Sequence, residues 1–380
     1  MIRIDKQMDL KVPYDLNRLG KPERLLFFDI ETTGLSAYDS GLYLLGCVYF
    51  EDGFWHFHQW LSEGLSDELL ILREFGALLA QFDKVVHFNG DTFDMRFLEA
   101  LAAQYGLPEL FKGKESLDLL KIVRKLRRVL GLPDCKLKSV ERFLGIFRED
   151  RFTGGELIEA YERYLEKRED RLLRMLLLHN EEDIVNLLSI LPVLSYADFF
   201  TGPDFSVMEA YFSGSASKLF VTARMNFSLP AAFEAVTPEG IKIRVSTEEN
   251  GGVSDSFDES RETGDDDATA RKETSNSRVS FEIPSFYGEL RFFYPNPKDY
   301  WYLPAEDCAY HKKVASFVDK SHRVPATREN CYTRMEGYFL AAPAGFEGPV
   351  FRESFSAEKA YVRYEEEKLP EYLRSVIRGI

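Results

Sequence analysis

Three stretches of the chain set carboxylates in patterns that could do chemistry. In FFDIETTGL, residues 27–35, Asp29 and Glu31 lie two apart within an apolar run. On a strand that spacing turns both to one face. Two carboxylates side by side on a buried strand repel each other unless a cation or a proton neutralises them. Alone, the pair also suits a solvated edge strand before a Thr-Thr-Gly turn. In HFNGDTFDMRFL, residues 87–98, Asn89, Asp91 and Asp94 fall where a strand gives way to a helix. Ligands of α/β sheets are held at such carboxyl ends, although Asp91 and Asp94 also read as a helix cap. In LLLHNEEDIVNLL, residues 176–188, Asp183 follows His179 by four, so the two share a helix face. Leu176, Asn180, Asp183, Leu187 and Leu191 form one stripe, which turns Asp183 inward and leaves Glu181 and Glu182 toward water. No Lys or Arg lies within a turn of Asp183. An inward carboxylate needs a partner, and a metal ion is one. His179 by itself reads equally as a packed or surface histidine.

The elements that must position these residues follow from periodicity. Residues 25–30, 41–50 and 53–60 read as a three-strand meander, followed by a helix over 68–82, a strand over 84–88 and a helix over 91–105. Helices are expected over 116–130, 138–144, 155–164 and 171–191, with Gly106-Leu107-Pro108 and Gly131-Leu132-Pro133 as breaks. This alternation is α/β grammar, and its order suggests a ribonuclease H-like mixed sheet flanked by helices. After Thr201-Gly202-Pro203 the pattern changes to strands over 218–227, 240–246, 278–283 and 289–294, with helices over 307–318 and 357–377. The expected organisation is an N-terminal arm (1–20), an α/β domain (21–200) and a β-rich α+β domain (201–380).

The chain has 380 residues and a formal net charge of −15, carried unevenly. Residues 246–276 hold ten acids against three bases, and their polar composition predicts a disordered loop between two paired strands. Residues 112–142 hold ten bases against four acids. The four cysteines form no C-x-x-C pair, which argues against a zinc knuckle and for a reducing, cytoplasmic setting. The first residues carry charges every few positions, and no stretch approaches about 18 consecutive apolar residues. Neither secretion nor membrane insertion is expected.

The order D-x-E, N-G-x-x-F-D and H-x-x-x-D resembles the DEDD superfamily of metal-dependent exonucleases. Within it the chain is similar to the YprB-like predicted exonucleases, which also share Leu117-Asp118-Leu119, the LKSVERFLGI stretch of residues 137–146 and the Thr153-Gly154-Gly155-Glu156 turn. The resemblance covers about residues 20–195. It implies a ribonuclease H-like fold and a 3′–5′ exonuclease, with two Mg²⁺ or Mn²⁺ ions held by Asp29, Glu31, Asp94 and Asp183. It makes His179 a candidate general base, although His179 stands four residues before the final Asp, where relatives carry tyrosine; those with histidine usually carry it five before. It also implies that Thr32 and Leu35 contact the terminal nucleotide and that Asn89 shapes the site.

Lys121, Arg124, Lys125 and Arg128 recur at helical spacing and could follow a phosphate backbone. A second basic and aromatic stretch, residues 311–334, follows Tyr300-Trp301-Tyr302. The expected partner is single-stranded DNA or RNA, whose end can reach buried metals. Competing readings are a nuclease-like module that binds without cutting, and a protein-interaction scaffold.

Overall fold

The computed structural model describes residues 1–64, 66–150, 152–247 and 277–380. The acidic stretch lies outside the described residues from 248 onward. The chain divides into two compact units, Met1–Ala197 and Asp198–Ile380.

In the first unit, strands β1 (Ile2–Met8), β2 (Leu25–Thr32), β3 (Leu42–Glu51), β4 (Phe54–Leu61), β5 (Lys84–His87) and β6 (Glu115–Asp118) form one sheet in the order β1-β4-β3-β2-β5-β6. The meander pairs antiparallel, and β2, β5 and β6 pair parallel. Residues 2–8, set apart in the sequence reading as part of an arm, pair with β4 as the edge strand. Both β2 and β3 are buried on both faces, which explains their nearly unbroken apolar runs.

Helices α1 (Ser66–Leu79) and α2 (Asp94–Gln104) cover the face of β2 that presents Leu26, Phe28 and Ile30. Helices α3 (Leu119–Leu126) and α4 (Leu137–Phe143) follow β6. Helices α5 (Gly154–Lys167) and α6 (Asp170–Ser189) cover the opposite face, where Tyr43, Leu44 and Leu61 meet Leu157, Tyr161 and Leu176. A Thr153–Glu156 capping box starts α5. The 116–130 segment is not helical throughout, because Glu115–Asp118 completes the parallel ladder beside β5 before α3 begins. The helical stretch Asp170–Thr201, which ends in α7 (Val193–Thr201), is long and apolar enough by length and composition alone to cross a membrane, a test that a packed core helix also passes. Of its most apolar window, 67% is buried.

The second unit is built on β11 (Arg278–Phe293), 16 residues long, which joins the two strands expected there into one. Its first half lies between β8 (Lys218–Met225) and β10 (Lys242–Ser246), and its second half pairs with β15 (Tyr332–Ala341). Strands β7 (Phe205–Phe212), β9 (Phe233–Val236) and β16 (Tyr361–Arg363) complete this seven-stranded sheet. Ser246 pairs with Arg278, so the strands on either side of the acidic stretch are neighbours. A small separate sheet runs β13 (Cys308–His311), β12 (Tyr300–Leu303), β14 (Val324–Pro325). Two helices expected here are shorter than the sequence suggested. Cys308–His311 pairs with β12, leaving only α8 (Lys312–Ala315), and Tyr361–Arg363 pairs with β15, so α9 spans Leu369–Arg378 behind Pro370.

Candidate active site

Pairing of β2 with β5 stops at Phe27 and Val86, so the strands part at their carboxyl ends. The Ile30 N–H, beyond the last paired residue, donates to Asp94 Oδ1 at 3.2 Å. Asp94 reaches it because the chain reverses after β5 at Asn89, whose φ of 74° is left-handed. Asp118 holds that reversal by accepting from the Asn89 N–H at 2.9 Å and from the Leu120 N–H at 3.0 Å as the cap of α3. On the other side of the loop, Gly90 N–H donates to His87 Nδ1 at 3.0 Å, and His87 Nε2 meets Ser116 Oγ at 2.9 Å. Ser116 and Lys121 both donate to Asp91. His87, Asp91 and Asp118 are close enough to hold an ion, but the Lys121 ammonium already sits on Asp91. The cluster braces the loop.

Asp29 and Glu31 face α6. Asp29, Gly46 and Gln59 stand in one row across β2, β3 and β4. A side chain on Gly46 would put its Cβ 2.2 Å from both Asn180 Oδ1 and Ile184 Cδ1, so glycine lets the helix lie against the sheet. Gln59 then donates to Asn180 Oδ1 at 2.9 Å, and Asn180 donates to Asp29 Oδ2 at 3.2 Å.

One residue earlier on α6, His179 Nε2 lies 3.2 Å from Glu31 Oε1 and 3.3 Å from Asp183 Oδ2, while its Nδ1 is 2.7 Å from Asp150 Oδ2. Tyr43 donates to Glu31 Oε2 at 3.4 Å. Arg148 donates to Asp183 and, bidentately, to buried Glu141. Asp183 therefore has a basic partner, one that lies 35 residues earlier. Glu182 is not simply solvated: it accepts from the N–H groups of Glu149 and Asp150, both at 2.9 Å, and so fixes the loop that carries Arg148 and Asp150. Glu181 pairs with Lys6.

The structure thus brings Asp29, Glu31, Asp94, His179 and Asp183 together. Asn89 shapes the adjoining loop, and Thr32 ends β2 with its hydroxyl on Gly34 O at 2.6 Å. Leu35 is 89% exposed on the loop that follows. Arg124, Lys125 and Arg128 are exposed, and Lys121 is engaged by Asp91 rather than free for phosphate. Sequence reasoning missed Arg148 and Asp150. The only local signal was a charged run, FRED, in a loop.

Electrostatics follow from burial. Desolvation, then the charges of Asp94, Asp183 and Glu31, push the Asp29 carboxyl well above its ordinary range. Desolvation likewise raises Glu31, against the hydrogen bond from His179, and carries Asp94 to about 7. For His179, burial works against the charged ring, but the hydrogen bond to Glu31 and the charges of Asp183 and Glu31 outweigh it and lift the pKa to about 9. Among the described residues, no Lys, Arg or His lies within 4.0 Å of a carboxylate oxygen of Asp29 or Asp94. Desolvated carboxylates with this deficit of positive charge, supplying mostly hard oxygen donors, fit a divalent cation. Glu31, His179 and Asp183 alone could offer three ligand atoms to one ion.

Replacing Asp150 by asparagine removes a carboxylate from His179 Nδ1. The imidazole pKa is expected to fall from about 9 by roughly one unit or more in the metal-free protein, read by NMR titration of the His179 ring protons.

The family model of the RNase H superfamily matches residues 26–195. The first unit is a ribonuclease H-like domain. No curated protein matches the chain. Among solved structures, a family B DNA polymerase from the hyperthermophilic archaeon Pyrobaculum calidifontis is similar, with 18% identity and a TM-score of 0.38 over 58% of this chain and 38% of its own. The chain thus covers well under half the length of that polymerase.

Proposed function

We propose that the chain is a divalent-metal-dependent nuclease that shortens single-stranded DNA or RNA from the 3′ end, and that the ribonuclease H-like unit carries the reaction. The supporting observation is the cluster of four carboxylates, Asp94 buried and Asp29, Glu31 and Asp183 half-buried, two of them without a basic partner within 4.0 Å among the described residues. Asp29, Glu31, Asp94 and Asp183 would hold two Mg²⁺ or Mn²⁺ ions. When bound, such ions lower the pKa of the attacking water and offset charge on the phosphate and the leaving 3′ oxygen.

The remaining work falls to the chain itself. With its Nδ1–H held by Asp150, His179 directs Nε2 into the gap between Glu31 and Asp183; the ring is charged in the metal-free protein, with a pKa of about 9, and would accept the attacking water's proton once cations offset the Glu31 and Asp183 charges that raise it. Asn180 and the Ile30 N–H fix the oxygens of Asp29 and Asp94, which limits motion of the ligand set. The D-x-E, N-G-x-x-F-D and H-x-x-x-D resemblance supports the 3′–5′ direction. A cytoplasmic setting accords with four free cysteines.

A second reading, a module that binds nucleic acid without cutting it, draws on the Arg148–Asp183 pair, because the guanidinium takes a carboxylate oxygen that an ion would use. Incubating 5′-labelled single-stranded DNA and RNA with EDTA, Mg²⁺ or Mn²⁺ separates the two. A metal-dependent ladder shortening from the 3′ end supports the nuclease. Retained binding with no cleavage in either metal supports the module.

A further inference from the structure

The small sheet of the second unit carries a basic stretch whose cations are not paired with its acids: Glu306 and Asp307, in the β12–β13 turn, accept instead from Tyr310 and from Tyr302 and Tyr332. Between Cys308 and Arg328 there are five Lys and Arg and a single acid, Asp319, in a chain whose net charge is −15. Among the described residues, none of Lys312, Lys313, Lys320, Arg323 and Arg328 has a carboxylate within 4.0 Å.

Two of these cations are held by an aromatic ring. Lys312 Nζ lies 5.5 Å from the ring centroid of Trp301, and Arg323 Cζ lies 5.2 Å from it. Trp301 is in β12, the middle strand of this sheet, and Arg323 also donates to Ala315 O at the end of α8. A ring fixes the position of a cation without cancelling its charge, so these two remain available to an anion. Lys312, Lys313 and Lys320 are exposed around them, and Phe317 beside them is 93% exposed. Fixed cations without counter-ions, next to an exposed aromatic side chain, match a chain of phosphates with accessible bases.

The geometry points to a single-stranded nucleic-acid binding surface on the β12–β13–β14 sheet, centred on Trp301, Lys312 and Arg323 and extended by Lys313 and Lys320. It deepens the proposed function, on which it rests, by giving the second unit a grip on the substrate strand.

The test is fluorescence anisotropy of 5′-labelled oligothymidylate and oligouridylate on the full chain carrying Asp29→Asn to suppress cleavage. That background is compared with the same chain also carrying Lys312→Gln, Lys313→Gln and Lys320→Gln, and separately Trp301→Leu. Loss of three phosphate contacts is expected to weaken binding about tenfold near 100 mM salt and to flatten the log–log salt slope by about 2. Trp301→Leu, which releases two cations, should weaken binding about two- to fivefold. Should the triple variant melt early, Lys313→Glu alone, on an exposed side chain, is expected to weaken binding in the same way. Unchanged affinity and salt slope in these variants would overturn the surface, whatever the parent chain hydrolyses. Loss of affinity in a protein whose parent shows no metal-dependent hydrolysis would retain the surface and overturn only the nuclease reading.

Discussion

Replacing Asp29 or Asp94 with asparagine is expected to abolish hydrolysis and, in EDTA at pH 8, to raise the melting temperature of the first unit. The first effect is large because each carboxylate would hold the ions that offset several kcal/mol of charge in the transition state, and each 1.36 kcal/mol is tenfold in rate. A loss of about 10³-fold or more is expected in a 5′-label cleavage assay. The second effect has the opposite direction and the same cause. A carboxyl whose folded pKa is raised binds its proton more tightly in the folded chain than in the unfolded one. Asp94, at about 7, therefore destabilises the metal-free fold progressively as pH rises from about 4 to about 7. Asparagine keeps an acceptor for the Ile30 N–H while removing the charge. The gain is on the order of 1–3 kcal/mol, or about 2–8 °C, above pH 7, and it disappears below about pH 4. Thermal scans of wild type and Asp94→Asn at pH 4, 6 and 8 in EDTA read it directly. A melting temperature that falls at pH 8 would mean that the carboxylate is satisfied without metal.

Gly46→Ala should damage both fold and site although it adds one methyl group. Its Cβ would meet Asn180 Oδ1 and Ile184 Cδ1 at 2.2 Å, so α6 must move off the sheet or Asn180 must leave Asp29. Overpacking of this kind costs typically 1–3 kcal/mol. A melting temperature lower by about 3–10 °C is expected. Because α6 also carries His179 and Asp183, a shift of about 1 Å is expected to lower cleavage by about 10²-fold. Asn180→Ala in the Gly46→Ala background relieves one of the two clashes and should recover part of the stability but not the activity. Equal stability of Gly46→Ala and wild type would show that the helix does not lie as close as described.

How much of this was legible in the sequence depends on how local each interaction is. Asp29 and Glu31 share a face because strand period is two, and His179 and Asp183 share one because helix period is near four, so both pairs could be read from spacing. The N-G-x-x-F-D loop was legible as a strand-to-helix junction for the same reason. Arg148 and Asp150 were not, because their contacts with Asp183 and His179 span 35 and 29 residues and follow from a loop pinned by Glu182. Asp183 had seemed to lack any basic partner, since only its own helix turn could be searched. The same limit governs the second unit. Residues 308–311 and 361–363 carry no strong strand pattern alone and become strands because β12 and β15 offer open edges. Gly46 gave no signal, because its role depends on Asn180 and Ile184, more than 130 residues away.

Mn²⁺ binding to the full chain, followed by electron paramagnetic resonance, tests most directly whether Asp29, Glu31, Asp94 and Asp183 form a divalent-cation centre. Saturable binding of about two ions per chain is expected, competed by Mg²⁺, with Asp29→Asn lowering the number bound or weakening affinity by at least about tenfold. No saturable binding, or binding that Asp29→Asn leaves unchanged, would contradict it.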